Sequence, residues 1–139
     1  MKPALRLSEK LEIRLSWPAK ALWSNSRVHW AVKAKAAKNA RWWAFIGVRE
    51  IWRGYPGPEV KVQVSVKAYK HGRGALPDRD NLISACKAYF DGLVDAGICP
   101  SDRPEHFELG TITIERGDVS EVVLIVEPLE LVLRPKEER

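Results

Sequence analysis

Leu11-Glu12-Ile13-Arg14-Leu15-Ser16-Trp17 alternates apolar and polar residues and stops at Pro18, which predicts a strand with one buried face. Residues 18–26 keep neither period and read as a loop. From about Arg27 to Arg53 the chain is rich in Ala, Lys, Arg and Trp, with Ser26 placed to cap a long helix. Gly54-Tyr55-Pro56-Gly57-Pro58 must end that helix, because two prolines and two glycines cannot continue it. Period two returns between Glu59 and Lys70: Val60, Val62, Val64 and Val66 line one face, and Lys61, Gln63, Ser65 and Lys67 the other. His71-Gly72-Arg73-Gly74-Ala75-Leu76 reads as a flexible connection to a second helix, from Asp78 to about Ala96, which Gly97 ends. Residues 107–116 and 119–126 then read as two short strands joined as a hairpin by Gly117-Asp118. The run Val122-Val123-Leu124-Ile125-Val126 implies burial on both faces of the last strand.

The order strand, helix, strand, helix, strand, strand predicts an α+β domain, a mixed four-stranded sheet with two main helices on one side. With 139 residues and 45% hydrophobic content, one domain over residues 1–139 is expected, its core at about 11–126 and a charged tail at 128–139. The longest apolar runs fall far short of the ~20 residues that span a bilayer. The N-terminus also lacks an apolar stretch followed by a small-residue cleavage site, so a soluble cytoplasmic protein with no membrane partner is expected. Cys86 and Cys99 lack paired spacing and are expected as reduced thiols. His29, His71 and His106 lie in separate segments without a zinc-binding spacing, and the chain has no nucleophile elbow, phosphate-binding loop or dinucleotide fingerprint.

Charge narrows the function further. The formal net charge of +5 is unevenly spread: residues 1–55 hold twelve Lys or Arg against Glu9, Glu12 and Glu50, whereas residues 56–139 hold eleven against fifteen acids. A basic half beside an acidic half fits a polyanion-binding surface adjoining a cation-binding one. On the first helix Lys35, Lys38, Trp42, Arg49 and Arg53 fall within roughly 60° of one another, a stripe able to follow a phosphate backbone, with Trp42 available to stack on a base. Ala37, Ala40, Ala44, Val48 and Ile51 take the other side, with Lys33 and Arg41 lying toward it. Arg27 and Arg73 join the stripe as candidate DNA contacts. Trp17, Trp30, Trp43 and Trp52 are expected mostly in the core or at a subunit interface.

At ~100° per residue the second helix turns Asp80, Ser84, Lys87 and Asp91 to one face and Leu82, Cys86, Phe90 and Leu93 to the opposite one. With Asp102 in the loop that follows, this is the composition of a site that holds a divalent cation against a phosphate: hard oxygen donors and one ammonium. The same residues also have a plainer reading. Asp78 and Asp80 suit a helix N-terminus, and Lys87 with Asp91 is an ordinary i,i+4 pair.

Asp78-x-Asp80-Asn81-Leu82, a lysine-bearing helix ending Asp91-Gly92-Leu93-x-x-Ala96-Gly97, and the loop with Asp102 together resemble the RusA family. These are Holliday junction endodeoxyribonucleases of bacteria and their phages. Ser24-Asn25-Ser26-Arg27, after a strand ending in Trp17-Pro18, belongs to the same resemblance, which covers about residues 11–126. It implies an α+β homodimer that resolves four-way junctions by paired nicks in DNA recombination and repair. It further implies that Asp78, Asp80 and Asp102 bind Mg²⁺, with Mn²⁺ as a possible substitute, and that Lys87 is the catalytic lysine. Ser84 occupies the position where the family pattern places its lysine, and Lys87 follows one turn later. Ser101-Asp102 stands where the pattern often has two aspartates. The alternative is a non-catalytic junction- or duplex-DNA-binding protein whose carboxylates only cap and solvate a helix.

Overall fold

A computed structural model describes residues 9–54 and 60–129. The chain forms β1 (Leu11–Ser16), a 3-10 turn (Lys20–Leu22), α1 (Trp30–Arg49), β2 (Lys61–Lys70), α2 (Arg79–Ala85), α3 (Lys87–Asp95), β3 (Phe107–Arg116) and β4 (Glu121–Leu129). Strand order in the sheet is β1-β4-β2-β3, with β4 antiparallel to both neighbours and β2 parallel to β3. This is the expected α+β class with a mixed four-stranded sheet. The run Val122–Val126 lies in a strand with neighbours on both sides, and all five residues are buried, as an unbroken apolar run requires.

The expected hairpin does not form, because β2 lies between β3 and β4. Residues 117–120 instead carry the chain across the end of β2. There the Gly117 N–H donates to the Lys70 carbonyl at 3.1 Å, and a Cβ on residue 117 would come within 2.8 Å of the Tyr69 Cβ. Gly-Asp reports a chain reversal, and the reversal is present with one strand's width inside it. At the outer edge, a bulge between Val64 and Val66 sets two residues of β3, Gly110 and Thr111, against Ser65. The Ser65 hydroxyl accepts the Thr111 N–H at 3.1 Å. The extra residue keeps Phe107, Leu109, Ile112 and Ile114 all packed on the core.

The helices cover one face of the sheet. Ile13, Leu15, Val62, Val64, Val66, Ala68, Val122, Leu124 and Val126 pack there with Ala40, Ala44 and Val48 of α1 and with Phe90 and Leu93 of α3. On the other face Arg14 pairs with Glu121 at 2.9 Å and Lys61 with Glu108 at 3.1 Å. β4 runs on to Leu129 through Pro128, which lies beyond the last pair with β1 at Val126, so the missing N–H costs no bond on that side. Most of the expected charged tail, and the segment Tyr55–Glu59 expected to end the first helix and begin the second strand, lie outside the described residues.

Two helix limits differ from expectation. α1 begins at Trp30, capped by His29, whose Nδ1 accepts the Ala31 N–H at 3.1 Å, and it ends at Arg49. Ser26 belongs to the preceding loop. The second helix is broken at Cys86 (φ −90°, ψ 0°), so that α2 and α3 are separate. The Cys86 N–H is shared between the Leu82 and Ile83 carbonyls at 3.0 and 3.1 Å, which tightens the last turn of α2 and frees α3 to lie against α1. The Tyr89 hydroxyl then donates to the Ser16 carbonyl at 2.7 Å, tying α3 to the end of β1, and burial pushes its pKa up to about 12.

The α1–α3 crossing uses small residues. Ala44 faces Gly92, where an added Cβ would strike the Arg41 carbonyl and come 2.8 Å from the Ala44 Cβ. Alanine would gain ~1 kcal/mol of helix propensity over glycine, but overpacking against backbone costs ~1–3 kcal/mol. The steric term dominates here, because a carbonyl in mid-helix cannot swing aside. Gly92→Ala is therefore expected to lower unfolding free energy by about 1–2 kcal/mol in urea denaturation. An unchanged or raised midpoint would show that the crossing is looser than this.

Candidate active site

The segment before α2 is held at both ends. Gly72 and Gly74 adopt φ of 94° and 101°, which places their carbonyls where the Arg116 guanidinium donates to both, to Gly72 at 2.9 Å. The His71 N–H donates to the Ser120 hydroxyl at 2.9 Å. The connection that composition marks as flexible is thus pinned by β3 and by the β3–β4 connection. It delivers Asp78 as the N-cap of α2: one carboxylate oxygen accepts the Asn81 N–H at 2.8 Å and the other the Asn81 side-chain amide at 3.2 Å. The Asn81 amide oxygen accepts in turn from the Ser24 hydroxyl at 2.8 Å. Asp78 therefore organises the helix start and links it to the 24–29 segment.

Asp80, in the first turn of α2, has a side chain 93% exposed, with Arg79 at 3.6 Å. Lys87 is the centre of a different set. Its ammonium donates to Asp91 at 2.7 Å and to Asp102 at 3.4 Å. The hydrogen bond that Lys87 donates to Asp91 holds the Lys87 pKa above the usual lysine value; partial burial opposes the shift and Asp102 adds to it. Asp102 is presented by a braced loop: the Ser101 hydroxyl lies 2.7 Å from His106 Nδ1 and accepts the Arg103 N–H at 3.1 Å. Asp91, placed on the polar face and paired with Lys87 in the plainer reading of the sequence, is absent from the ligand set that the RusA resemblance implies. It borders a hollow of about 390 Å³ with Ser24, Lys33, Ser84 and Lys87, and another of about 270 Å³ with Arg41 and Asp102. Its i,i+4 spacing from Lys87 gave the ion pair that the structure shows.

The expected site is thus assembled in part. Lys87 and Asp102 come together, and Asp91 with them, while Asp78 serves the helix cap and Asp80 faces solvent. No three His, Cys, Asp or Glu side chains among the described residues stand close enough to share a metal ion. The donor chemistry nevertheless suits Mg²⁺, which keeps several waters and takes only one or two protein carboxylates. Of the three expected ligands, Asp80 accepts no hydrogen bond among the described residues and Asp102 accepts one, from Lys87, whereas Asp78 already accepts one on each oxygen.

Of the cationic stripe on α1, Lys35, Lys38 and Trp42 are exposed. Arg49 is turned inward, donating to the carbonyls of Gly54 at 2.9 Å and Ala96 at 3.1 Å, where it satisfies the C-terminal end of α3. The Arg53 guanidinium folds back on the Arg49 carbonyl at 3.1 Å. Helical angle alone could not show that these two positions meet orphan carbonyls. Arg27 and Arg73 are exposed in their loops. Of the tryptophans expected in the core or at a subunit interface, Trp30 and Trp43 are outside the core, 75% and 58% exposed, whereas Trp17 and Trp52 pack partly on it. Both cysteines are free and buried, and burial pushes Cys86 up to about 12 and Cys99 up to about 11, so neither is a nucleophile at neutral pH.

No family model matches the chain. The chain is similar to an uncharacterized protein of Xylella fastidiosa, 40% identical over 86 residues, which are 60% of this chain. Those residues span 56% of that relative's length, so the chain matches about half of it. Among the described residues, no helix is long and apolar enough to cross a membrane.

Arg41 and Asp95 clamp α1 to α3 through two hydrogen bonds, one of 2.8 Å from Nη2, and Arg41 holds the Asp95 carboxyl below its usual pKa. A depressed carboxylate contributes stability above its unfolded pKa of ~3.9 and loses it as pH falls through the folded value. Because both side chains are partly exposed, the contribution is held to ~0.5–1 kcal/mol. Asp95→Asn is expected to cost that amount at pH 7, with the difference from the parent vanishing in acid. A cost that persisted at low pH would mean that Asp95 acts by packing.

Proposed function

We propose that the protein is a magnesium-dependent, structure-selective endodeoxyribonuclease of the RusA type that acts on four-way DNA junctions. One observation carries the reading: the Lys87 ammonium sits between Asp91 and Asp102, at the start of the helix that follows the one begun by Asp78-Arg79-Asp80-Asn81. A bound Mg²⁺ supplies an acidified water and charge neutralisation at the phosphate. Asp80 and Asp102 are the residues to hold it, with Asp78 keeping the start of α2 in place and able to contribute its remaining lone pairs. Lys87 has a long flexible stem, so its head can leave Asp102 and donate to a phosphate oxygen as negative charge builds there. Lys35, Lys38, Arg27 and Arg73 are exposed cations suited to the DNA backbone.

Paired nicks need two matching sites, which a two-fold dimer supplies. Support for self-association is the outward face of α1, where Val32 is 53% and Trp43 58% exposed, apolar surface of the kind subunit interfaces bury. The rival reading, a DNA-binding protein without catalysis, draws on the same ion pairs: Lys87 is already satisfied by two carboxylates and Asp78 by Asn81. Incubating a synthetic junction with Mg²⁺ or with EDTA separates the two, since a binder retains intact DNA in both.

Asp80→Asn and Asp102→Asn are each expected to lower junction cleavage by at least ~100-fold while affinity holds or rises slightly, because a negative charge near the phosphates is removed. Gel-based cleavage and binding assays check this, and normal cleavage by either variant would remove that residue from the site. Lys87→Ala is expected to slow the single-turnover step with little change in affinity, and adding Ser84→Lys to restore part of the rate from the same helix face. Full activity of Lys87→Ala would leave Lys87 as a surface ion-pair residue.

A further inference from the structure

We propose that the hollow between the 3-10 turn and the segment leading into α2 receives an unpaired nucleotide of a DNA strand, with its base against tryptophan and its phosphates on three cations. The inference rests on DNA as the partner and not on cleavage. The hollow encloses about 670 Å³, within the ~300–1,000 Å³ of ordinary small-molecule sites. Trp17 and Trp23 stack at 5.5 Å with ring planes 22° apart, and the Trp23 indole N–H donates to the Pro18 carbonyl at 3.1 Å, which fixes the pair. The Lys70 ammonium stands 5.5 Å from the centre of the Trp17 ring. Lys20 and Arg27 line the same hollow, no carboxylate does, and none of these three cations makes an ion pair among the described residues.

A second, independent observation points to a ligand. Ser26, also in the lining, has its hydroxyl oxygen buried without a hydrogen-bond partner among the described residues. Buried polar atoms are rarely left so, and an unpartnered one costs ~1–3 kcal/mol. An apolar ligand would not satisfy that hydroxyl or the cations, and a bare anion would not use the indoles. A nucleotide uses all of them, stacking its base and placing its phosphate among Lys20, Arg27 and Lys70. The base must be unpaired, because a concave pocket admits only a base that has left its stack. It belongs to a strand because the pocket is not isolated: Asn81 borders it, and Ser24, bonded to Asn81 at 2.8 Å, borders the hollow that holds Lys87. A strand with one base in the pocket therefore leads past Asn81 toward Lys87.

Binding in EDTA tests this without requiring cleavage. The probes are a single strand of about ten nucleotides with a central 2-aminopurine, and the same strand fully paired. Quenching of 2-aminopurine on the single strand and none on the duplex is expected. Ser26→Ala should keep or raise the melting temperature, since it deletes an unsatisfied hydroxyl, yet weaken single-strand binding about 5-fold. Lys70→Gln should weaken it similarly, with duplex affinity changed less than about twofold. Trp23→Leu should abolish the quenching; if that variant does not fold, the Ser26 and Lys70 variants decide. Parental single-strand affinity in both of those variants, or equal losses on single strand and duplex, would overturn the pocket. A free deoxynucleotide that competes as well as the strand would overturn its assignment to a strand. Loss of cleavage alone, with quenching intact, would count against the nuclease reading and leave this one standing.

Discussion

Gly92 brings the α3 backbone against the Arg41 carbonyl of α1, and that near-contact fixes where α3 can lie. With Ala44 opposite, the two helices approach as closely as their backbones permit, and the remaining side chains follow. Arg41 reaches Asp95, Arg49 reaches the Ala96 carbonyl, and Tyr89 reaches Ser16. On the side away from the core the same placement sets Lys87 and Asp91 beside the loop that carries Asp102. A side chain at residue 92 would push the helices apart and strain the Arg41 and Arg49 contacts that seat α3 on α1.

Much of this was legible where a local pattern and the tertiary structure ask for the same residue. The alternating valines of β2 and the unbroken apolar run of β4 lie where their periods place them. The grouping of Ser84, Lys87 and Asp91 around one hollow was likewise readable from spacing, whereas Asp80 stands apart from it, and both the capping of α2 by Asp78 and the Lys87–Asp91 pair follow the plainer reading. The break at Cys86 was not readable, because Leu82, Cys86, Phe90 and Leu93 are all buried and keep helical spacing straight through it. Gly117-Asp118 signalled a reversal, but whether a strand lies inside a reversal depends on pairing partners far away in sequence. Arg49 and the Trp17–Trp23 pair gain their meaning from Ala96, Lys70 and Asn81, which no window of adjacent residues contains.

Electrostatics ties the parts together. Two acids of the second half, Asp91 and Asp102, hold one ammonium, and the excess positive charge of the first half includes Lys20, Arg27, Lys35 and Lys38, all exposed. Within the cluster, Lys87 neutralises Asp91 and Asp102 where no metal is bound; a divalent cation at Asp102 would compete with that ammonium and release it toward a phosphate. The cluster then has two uses for the same charges, as a surface ion-pair network or as a phosphodiester-cleaving site. Which one operates depends on whether DNA and Mg²⁺ together displace the ammonium.

Sequencing the ends of a synthetic four-way junction after incubation with the protein and Mg²⁺ addresses that question most directly. Two nicks at symmetry-related positions, leaving 5′-phosphate and 3′-hydroxyl ends and absent in EDTA, are the predicted result. Bound but intact junction under both conditions would contradict the nuclease reading and leave a DNA-binding protein whose acids hold only Lys87 and a helix cap.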